Sequence, residues 1–449
     1  MHTFLELMED LWLVIVIFVA AAALIIWLSF KVSTGSVFGL ALYYLLIFSP
    51  VWISFLLAIV GWDLWLVYIR SLSVSKIKPV LLEIKLPKEV RRSPMAMEVF
   101  FSALYLTGSS SFLEQYWHGK IRPWFSLELV SLGGAVHFYV WTDDKNRAIV
   151  EAQLYAQYPE AVIQEVDDYT KNVTWDPVKW GMWGTYFRLG EMDAYPIKTY
   201  VDYGLDKPSA EEEEKVDPLT SMLEYLGSLK PHEQAWVQIL IQAHKKEGLK
   251  EGRLFERPDW KKEARKEIEK IREEATPERP GSEYPGFPNP TKGQVEKIAA
   301  IERSISKYPF ETVIRCMYVA KDNKFGPSSI PGLIGSIRQY NSRELNGFSL
   351  GWLTDHADTA KDLVTAFGWL PFFGSYMASR VDKMKRQMLD AYKKRSIFQP
   401  PYKNFHIKPF ILNTEELATI FHLPGQVAST PTLQKIESKR AEPPTNLPL

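Results

Sequence analysis

Three potential metal ligands stand together in the tetrapeptide Asp355-His356-Ala357-Asp358. A zinc site needs about four ligands in a fixed geometry, and no further His, Cys or carboxylate near this tetrapeptide completes a shell. The single cysteine, Cys316, excludes an internal disulfide and any Cys-rich zinc or iron–sulfur site. The sequence therefore predicts no metal site and no cofactor.

Nucleotide-dependent chemistry needs a glycine-rich loop whose backbone amides hold phosphate, closed by Lys and Ser or Thr. The chain contains no GxxxxGK[ST], GxGxxG, GxSxG or HExxH motif. None of the eight histidines pairs with a nearby Ser or Cys in a recognisable nucleophile context. We therefore predict that the protein is not an enzyme. The alternative is a membrane enzyme whose site is not visible in the sequence.

The segment from Arg380 to Lys408 is strongly basic, with nine Lys or Arg against two Asp, a balance of plus seven. Apolar residues recur at helical spacing from Met377 to Met388, which predicts an amphipathic helix over Ser375–Arg395. The candidate phosphate-contact residues on its outward face are Arg380, Lys383, Arg386, Lys393 and Lys394. The phosphates would belong to DNA or to anionic lipid. A solvated helix face is the third interpretation.

The composition of the whole chain narrows the class of protein. Its 449 residues carry 53 basic and 53 acidic side chains, so zero net charge gives no case for a nucleic-acid coat. Hydrophobic residues make up 46% and charged residues 24%, which excludes wholesale disorder. The length suits two or three domains with cores of their own.

The first seventy residues predict a hairpin in the membrane, within a segment 1–78. Leu11–Phe30 has no charge or proline and is long enough to cross a bilayer, and residues 37–60 form a second apolar stretch. A cleaved signal peptide is the alternative for the first stretch, but its acidic start disfavours this. Lys and Arg cluster after the second stretch, which places both termini and the bulk of the chain in the cytoplasm, at the inner (cytoplasmic) membrane.

The next segment, 79–205, predicts an α+β domain. Alternating apolar residues and turn signals give the order strand, helix, strand, strand, helix, strand, with a hairpin at Gly133-Gly134. The predicted strands are Val80–Leu86, Trp124–Leu132, Ala135–Thr142 and Ala161–Val166, with a further strand at Tyr186–Leu189. This order is typical of the ferredoxin-like βαββαβ fold.

A second α+β unit is predicted over 206–345, with a charged insertion at 244–290 that contains an exposed single helix. Trp236–Gln242 and Phe310–Val319 are its predicted strands, the strand Ile197–Tyr203 precedes it, and Thr291 with Gln294 forms a capping box for the helix before Phe310. Residues 346–449 are predicted to hold the basic helix, a short capped helix over Thr414–His422 and an extended tail.

Two patches of the chain resemble a known family. Asp217-Pro218-Leu219 through Leu226 and Leu229–Ile239 are similar to a pattern DPL…LL..L..L..GE…QI, and Phe410–Pro424 is similar to a segment that precedes a P-loop strand. Both occur before the motor of membrane-bound HerA/FtsK-type and conjugative type IV secretion ATPases. His232 departs from the pattern, which prefers Gly there, and the sequence ends at Leu449 where a motor would begin.

The resemblance implies a membrane-anchored accessory or scaffold subunit of a DNA- or protein-translocating ATPase, with the motor on a separate polypeptide. Membrane lipids and a P-loop ATPase are then the expected partners, together with weak, non-specific DNA contact. We also expect an oligomer, whose copy number the sequence does not fix. A stand-alone, cytoplasm-facing membrane scaffold without a pump is the alternative.

Overall fold

The computed structural model describes residues 43–45, 47–85, 92–108, 111–207, 216–245, 259–276, 289–321, 324–354 and 373–424, without the side chains of 373–380. The predicted span Leu11–Phe30, the tetrapeptide Asp355–Asp358 and the tail after Pro424 lie outside these residues.

Helices and strands are interspersed along the described chain and the sheet is antiparallel, which confirms the mixed α+β class. The strands are β1 (Pro79–Lys85), β2 (Trp124–Leu132), β3 (Ala135–Asp143), β4 (Val162–Glu165), β5 (Trp180–Leu189), β6 (Glu233–Ala243), β7 (Pro309–Lys321), β8 (Phe348–Leu353) and β9 (Phe410–Asn413). The helices are α1 (Ser49–Ser75), α2 (Met95–Ala103), α3 (Phe112–Tyr116), α4 (Asp144–Gln157), α5 (Pro218–Gly227), α6 (Trp260–Glu274), α7 (Lys292–Ser306), α8 (Ser329–Ile337), α9 (Phe373–Lys393) and α10 (Thr414–Ile420).

The strands form one antiparallel sheet in the order β4-β1-β3-β2-β6-β7-β5-β8. The short strand β9 pairs with the first four residues of β7. The pair β2–β6 joins the strands of the first half of the chain to those of the second. Each long strand alternates its side chains between the two faces, as strand geometry requires. Val237, Ile239 and Ile241 of β6 therefore share one face, while Trp236 and Gln238 lie on the other, as the sequence predicts.

The main hydrophobic core lies between one face of the sheet and the helices α2, α4, α5, α8 and α10. Phe100, Phe101 and Leu154 from the helices pack against Leu127 and Phe138 from the strands, all essentially inaccessible to solvent. The opposite face of the sheet carries the buried polar side chains of Glu128, Gln238 and Arg315, and α9 ends over it.

Helix α1 belongs to a compact unit separate from the sheet, together with residues 113–120 and 399–401. It is long enough and apolar enough to cross a membrane, and almost none of its apolar window is buried. This helix overlaps the later part of the predicted span 37–60 and continues beyond it to Ser75, while residues 37–42 lie outside the described residues.

The predicted strand Ile197–Tyr203 is wrong, because this segment forms turns. Two of its backbone donors are bound by side chains of α10 rather than by a neighbouring strand. The Ile197 amide donates to Glu416 Oε1 at 2.9 Å, and the Tyr200 amide donates to Thr419 Oγ1 at 2.9 Å.

The prediction of an exposed single helix in the insertion is also wrong. Ala264, Ile268 and Ile271 of α6 are buried against Ile301 of α7. The two helices form a pair with a small core of its own, because both carry apolar residues at three- and four-residue spacing.

Helix α10 confirms the predicted cap formed by Asn413 and Glu416. The Asn413 side chain accepts from the Glu416 amide at 3.0 Å, and Glu416 Oε2 accepts from the Asn413 amide at 2.8 Å. All seven residues of α10 are buried, and His422 beyond its end joins it to α5. His422 Nε2 lies 3.0 and 3.1 Å from the two carboxylate oxygens of Asp217, while Nδ1 lies 2.9 Å from the Ala418 carbonyl.

The His422–Asp217 pair should make stability depend on pH. Burial opposes a charged imidazole, but the Asp217 charge and hydrogen bond outweigh it, so the pKa of His422 is raised. A raised histidine pKa adds stability that is complete below the unfolded value of about 6.5 and is lost as the pH rises through the folded pKa. We expect His422→Gln to cost roughly 1.5–3 kcal/mol at pH 6 and progressively less at higher pH.

Urea unfolding of the detergent-solubilised chain between pH 6 and pH 9 measures this difference. The partly exposed His232, replaced by Gln, is the matched control. A cost of His422→Gln that stays constant across the series would contradict the ion pair.

Candidate functional site

The predicted basic helix is present as α9, and the structure divides its candidate residues into two groups. Lys383, Arg386 and Lys394 are exposed. Arg386 Nη2 lies 3.4 Å from Asp382, and Lys394 Nζ lies 2.6 Å from Asp390, each one helical turn earlier. These i,i+4 pairs lower the net charge of the face but leave the cationic groups in solvent.

Lys393 and Arg380 do not join this exposed group. Lys393 Nζ donates to the carbonyl of Val173, and burial lowers the pKa of Lys393 below its ordinary value. The side chain of Arg380 lies outside the described residues. Three of the five predicted residues therefore form the outward basic surface that the structure describes.

Arg395 follows α9 and is the largest departure from the sequence analysis, which includes it only among the nine basic residues from Arg380 to Lys408. It has a left-handed backbone with φ of 48° and only 1% of its side chain exposed. Its guanidinium forms a bidentate pair with Glu128, at 3.0 Å from Nε and 3.1 Å from Nη2. Nη1 and Nη2 also donate to the two carboxylate oxygens of Asp168. One arginine therefore neutralises two carboxylates beneath the helix end.

Glu128 lies on β2 with 0% of its side chain exposed, so its oxygens need partners from the protein. It accepts from Gln238 Nε2 at 2.6 Å, Tyr169 OH at 2.8 Å and Ser126 Oγ at 2.7 Å, in addition to Arg395. These five donor contacts satisfy the carboxylate without water.

A second arginine, Arg315 on β7, is also fully buried. Its Nε donates to Gln238, and its Nη2 donates to the Ala391 carbonyl at 2.8 Å. Nη1 donates to the Ser396 carbonyl at 3.3 Å. Because the last carbonyls of a helix have no partner within it, Arg315 caps the C-terminal end of α9 from the sheet.

These residues follow the register of the sheet. Glu128 of β2 is opposite Gln238 of β6, which is opposite Arg315 of β7. We call Glu128, Gln238, Arg315, Asp168 and Arg395 the arginine cluster.

Aromatic rings enclose the arginine cluster. Trp236 lies between Tyr169 and Tyr392, with ring centroids 5.3 and 5.2 Å away. The hydroxyls of Tyr169 and Tyr392 are 2.9 Å apart. Burial, followed by the Glu128 charge, raises the pKa of both tyrosines well above the ordinary value, so both stay neutral.

Asp168 and Arg395 of the arginine cluster both favour their charged forms. Burial favours the neutral form of Asp168, but the hydrogen bond and charge of Arg395 outweigh it and lower the pKa of Asp168. Burial acts against the charge on Arg395, while Glu128 raises the pKa of Arg395 further above its ordinary value. The arrangement therefore holds charge in place and anchors the end of α9 to the sheet.

A separate cleft of about 400 Å³ lies beside the start of α8. Tyr225, Lys230, His232, Glu233 and Lys324 contribute to its lining. Glu233 accepts from Tyr318 OH at 2.8 Å and from the Lys230 amide at 2.9 Å, so its oxygens already have protein partners. Among the described residues, no group of three or more His, Cys, Asp or Glu is arranged to hold a metal ion.

Comparison with known protein families gives one match. The model of a domain of unknown function, DUF8128, matches residues 75–354. This stretch begins just before β1 and ends just after β8, so it contains the whole path of eight strands, and α9 and α10 lie beyond it. Comparisons with curated proteins and with solved structures find no match.

Proposed function

We propose that this chain, which belongs to the DUF8128 family because the family model matches more than half of its length, is a membrane-anchored, non-catalytic scaffold. The observation that carries the proposal is the exposure of α1. This helix has 27 residues, and only 6% of its most apolar stretch is buried. A helix of that length spans about 40 Å, more than the hydrocarbon core of a bilayer. An exposed apolar surface along a helix is stable in lipid and unfavourable in water.

The sheet supports a second part of the proposal, that the scaffold consists of two ferredoxin-like units. In the first half, a helix follows β1 and another follows β3, and the strand order is β4-β1-β3-β2. In the second half, helices follow β5 and β7, and the order β6-β7-β5-β8 is the same pattern reversed. We infer that two βαββαβ units share one sheet through β2 and β6, with α6 and α7 inserted between β6 and β7 of the second unit.

The proposed partner is a separate P-loop ATPase at the cytoplasmic membrane. The support is the resemblance of the two patches, Asp217–Ile239 and Phe410–Pro424, to the region before the motor of translocation ATPases. The two patches meet in the fold, since α10 of the second patch packs against α5 of the first and His422 bonds to Asp217. A rigid unit of this kind suits a scaffold, because the charges that join the patches are already paired within the chain.

Cysteine labelling of intact cells tests the anchoring and its orientation. Cys316 is fully buried and burial raises the pKa of its thiol, so the natural cysteine gives little background. We expect a membrane-impermeant maleimide to label Ser33→Cys from outside, and to label Val178→Cys, an exposed position, only after permeabilisation. The opposite pattern contradicts the orientation, and release of the chain by alkaline carbonate contradicts the anchor.

Purification of the chain from its native membrane, followed by an ATPase assay, tests the scaffold role. We expect ATP turnover only in preparations that also contain a P-loop ATPase. Turnover by the chain purified to homogeneity contradicts a non-catalytic scaffold.

A further inference from the structure

A short segment distant in sequence from the α1 helix packs against it within the same compact unit. Residues 113–120, which we call the interfacial loop, contain most of α3 and the turn that follows. Trp65 Nε1 donates to the Tyr116 carbonyl at 3.0 Å, and Ser73 Oγ donates to the His118 carbonyl at 3.2 Å. The interfacial loop is therefore held along the last third of α1.

Glycine at position 119 allows this close approach. Gly119 has φ of +63°, and a Cβ at this position would lie 2.5 Å from the Ile69 carbonyl oxygen. No other residue fits both the backbone conformation and the space without displacing the helix. The contact is thus specified by the sequence.

Aromatic rings from both segments gather at this contact. Tyr116 stacks on Trp62 with centroids 5.8 Å apart, and Trp117 packs on Trp65 at 5.4 Å. The outer surface of the loop includes large apolar side chains, since Leu113 is 64% and Trp117 62% exposed, beside the exposed polar residues His118 and Lys120. A leucine and an indole are costly to leave in water at the same surface.

We propose that the interfacial loop is a second membrane contact, lying at the boundary between lipid headgroups and acyl chains with Leu113 and Trp117 inserted. The inference rests on the proposed membrane anchoring by α1 and extends it. Trp117 of the loop packs directly on Trp65 of α1, so the lipid that surrounds the helix would also reach the loop. Indole rings are enriched at this depth, where an apolar ring and a polar N–H are both accommodated.

Spin-label accessibility in the full chain tests the proposal. Nitroxide labels are placed on Leu113→Cys and Trp117→Cys, with Phe55→Cys on α1 and Val178→Cys in the sheet unit as references. The chain is reconstituted in vesicles of phosphatidylcholine and phosphatidylglycerol. We expect labels at 55, 113 and 117 to collide several-fold more with oxygen than with a water-soluble nickel complex, relative to the label at 178.

Each other outcome overturns the proposal in a recognisable way. If label 55 lies in lipid while 113 and 117 meet the nickel complex, the loop is in water and the anchoring by α1 stands. If label 55 also meets the nickel complex, the membrane anchoring fails as well. If labels 113 and 117 are protected from both reagents, another protein surface covers the loop instead of lipid.

Discussion

Replacing Arg395 by methionine is expected to lower the free energy of unfolding by about 3–5 kcal/mol, the usual cost of removing one partner of a buried ion pair. Methionine keeps much of the side-chain volume but leaves Glu128 without its bidentate partner and Asp168 without the guanidinium that donates to both of its oxygens. Urea unfolding of the detergent-solubilised chain, followed by tryptophan fluorescence, measures the loss.

Two further variants distinguish charge from packing. Lys394→Met, one residue earlier and exposed, removes the same charge and should change stability by less than about 1 kcal/mol. Adding Glu128→Leu to Arg395→Met should recover part of the loss, because an apolar pair can replace a buried ion pair at little cost. Equal effects of Arg395→Met and Lys394→Met would contradict the importance of the arginine cluster.

Local patterns in the sequence predict the long strands of the sheet that carry apolar side chains. β2, β3, β6 and β7 carry long alternating or continuous apolar runs, and their predicted and observed ends agree within a few residues. The capping boxes at Thr291 and Asn413 are likewise present, since each depends on residues three positions apart.

Two strands are not predicted in full, because glycine residues interrupt their apolar pattern. Only the end of β5, from Tyr186, was predicted, because Gly181 and Gly184 interrupt the run before it. A Cβ on Gly184 would lie 3.4 Å from the side chain of Met388 on α9, so the small residue provides space for the helix. β8 contains Gly351 for a similar reason, with a Cβ 3.2 Å from the Tyr186 carbonyl oxygen. These requirements arise from tertiary contacts, which a local pattern cannot contain.

The arginine cluster was missed for a related reason. Its members lie at positions 128, 168, 238, 315 and 395, and nothing in their spacing brings them together. A weaker signal was present, because Glu128 and Arg315 are charged residues inside otherwise apolar strands, and such residues are seldom buried without a partner. The sheet register, which pairs Glu128 with Gln238 and Gln238 with Arg315, is what converts that signal into a site.

Anchoring by the arginine cluster gives the basic surface of α9 a fixed position, which leads to the second large prediction. If Lys383, Arg386 and Lys394 contact DNA phosphates, replacing all three by Gln should weaken binding at low salt and reduce the slope of log affinity against log salt by up to about 3, near 0.9 for each phosphate contact. Lys393 is left unchanged because its ammonium is already bound to the Val173 carbonyl.

The measurement uses the full chain in nanodiscs of neutral lipid, with a fluorescent duplex titrated by anisotropy at several salt concentrations. Neutral lipid prevents an anionic membrane from competing for the same cations. The matched control replaces Lys171, Lys179 and Lys292 by Gln. These are also exposed, and each pairs with an acidic residue three or four positions away, as Arg386 and Lys394 do. The control removes the same charge from other surfaces, so a loss confined to the α9 variant assigns the contact to this helix. Equal losses in both variants, or no binding by the unmodified chain at low salt, would leave α9 as a solvated face held rigidly on the sheet.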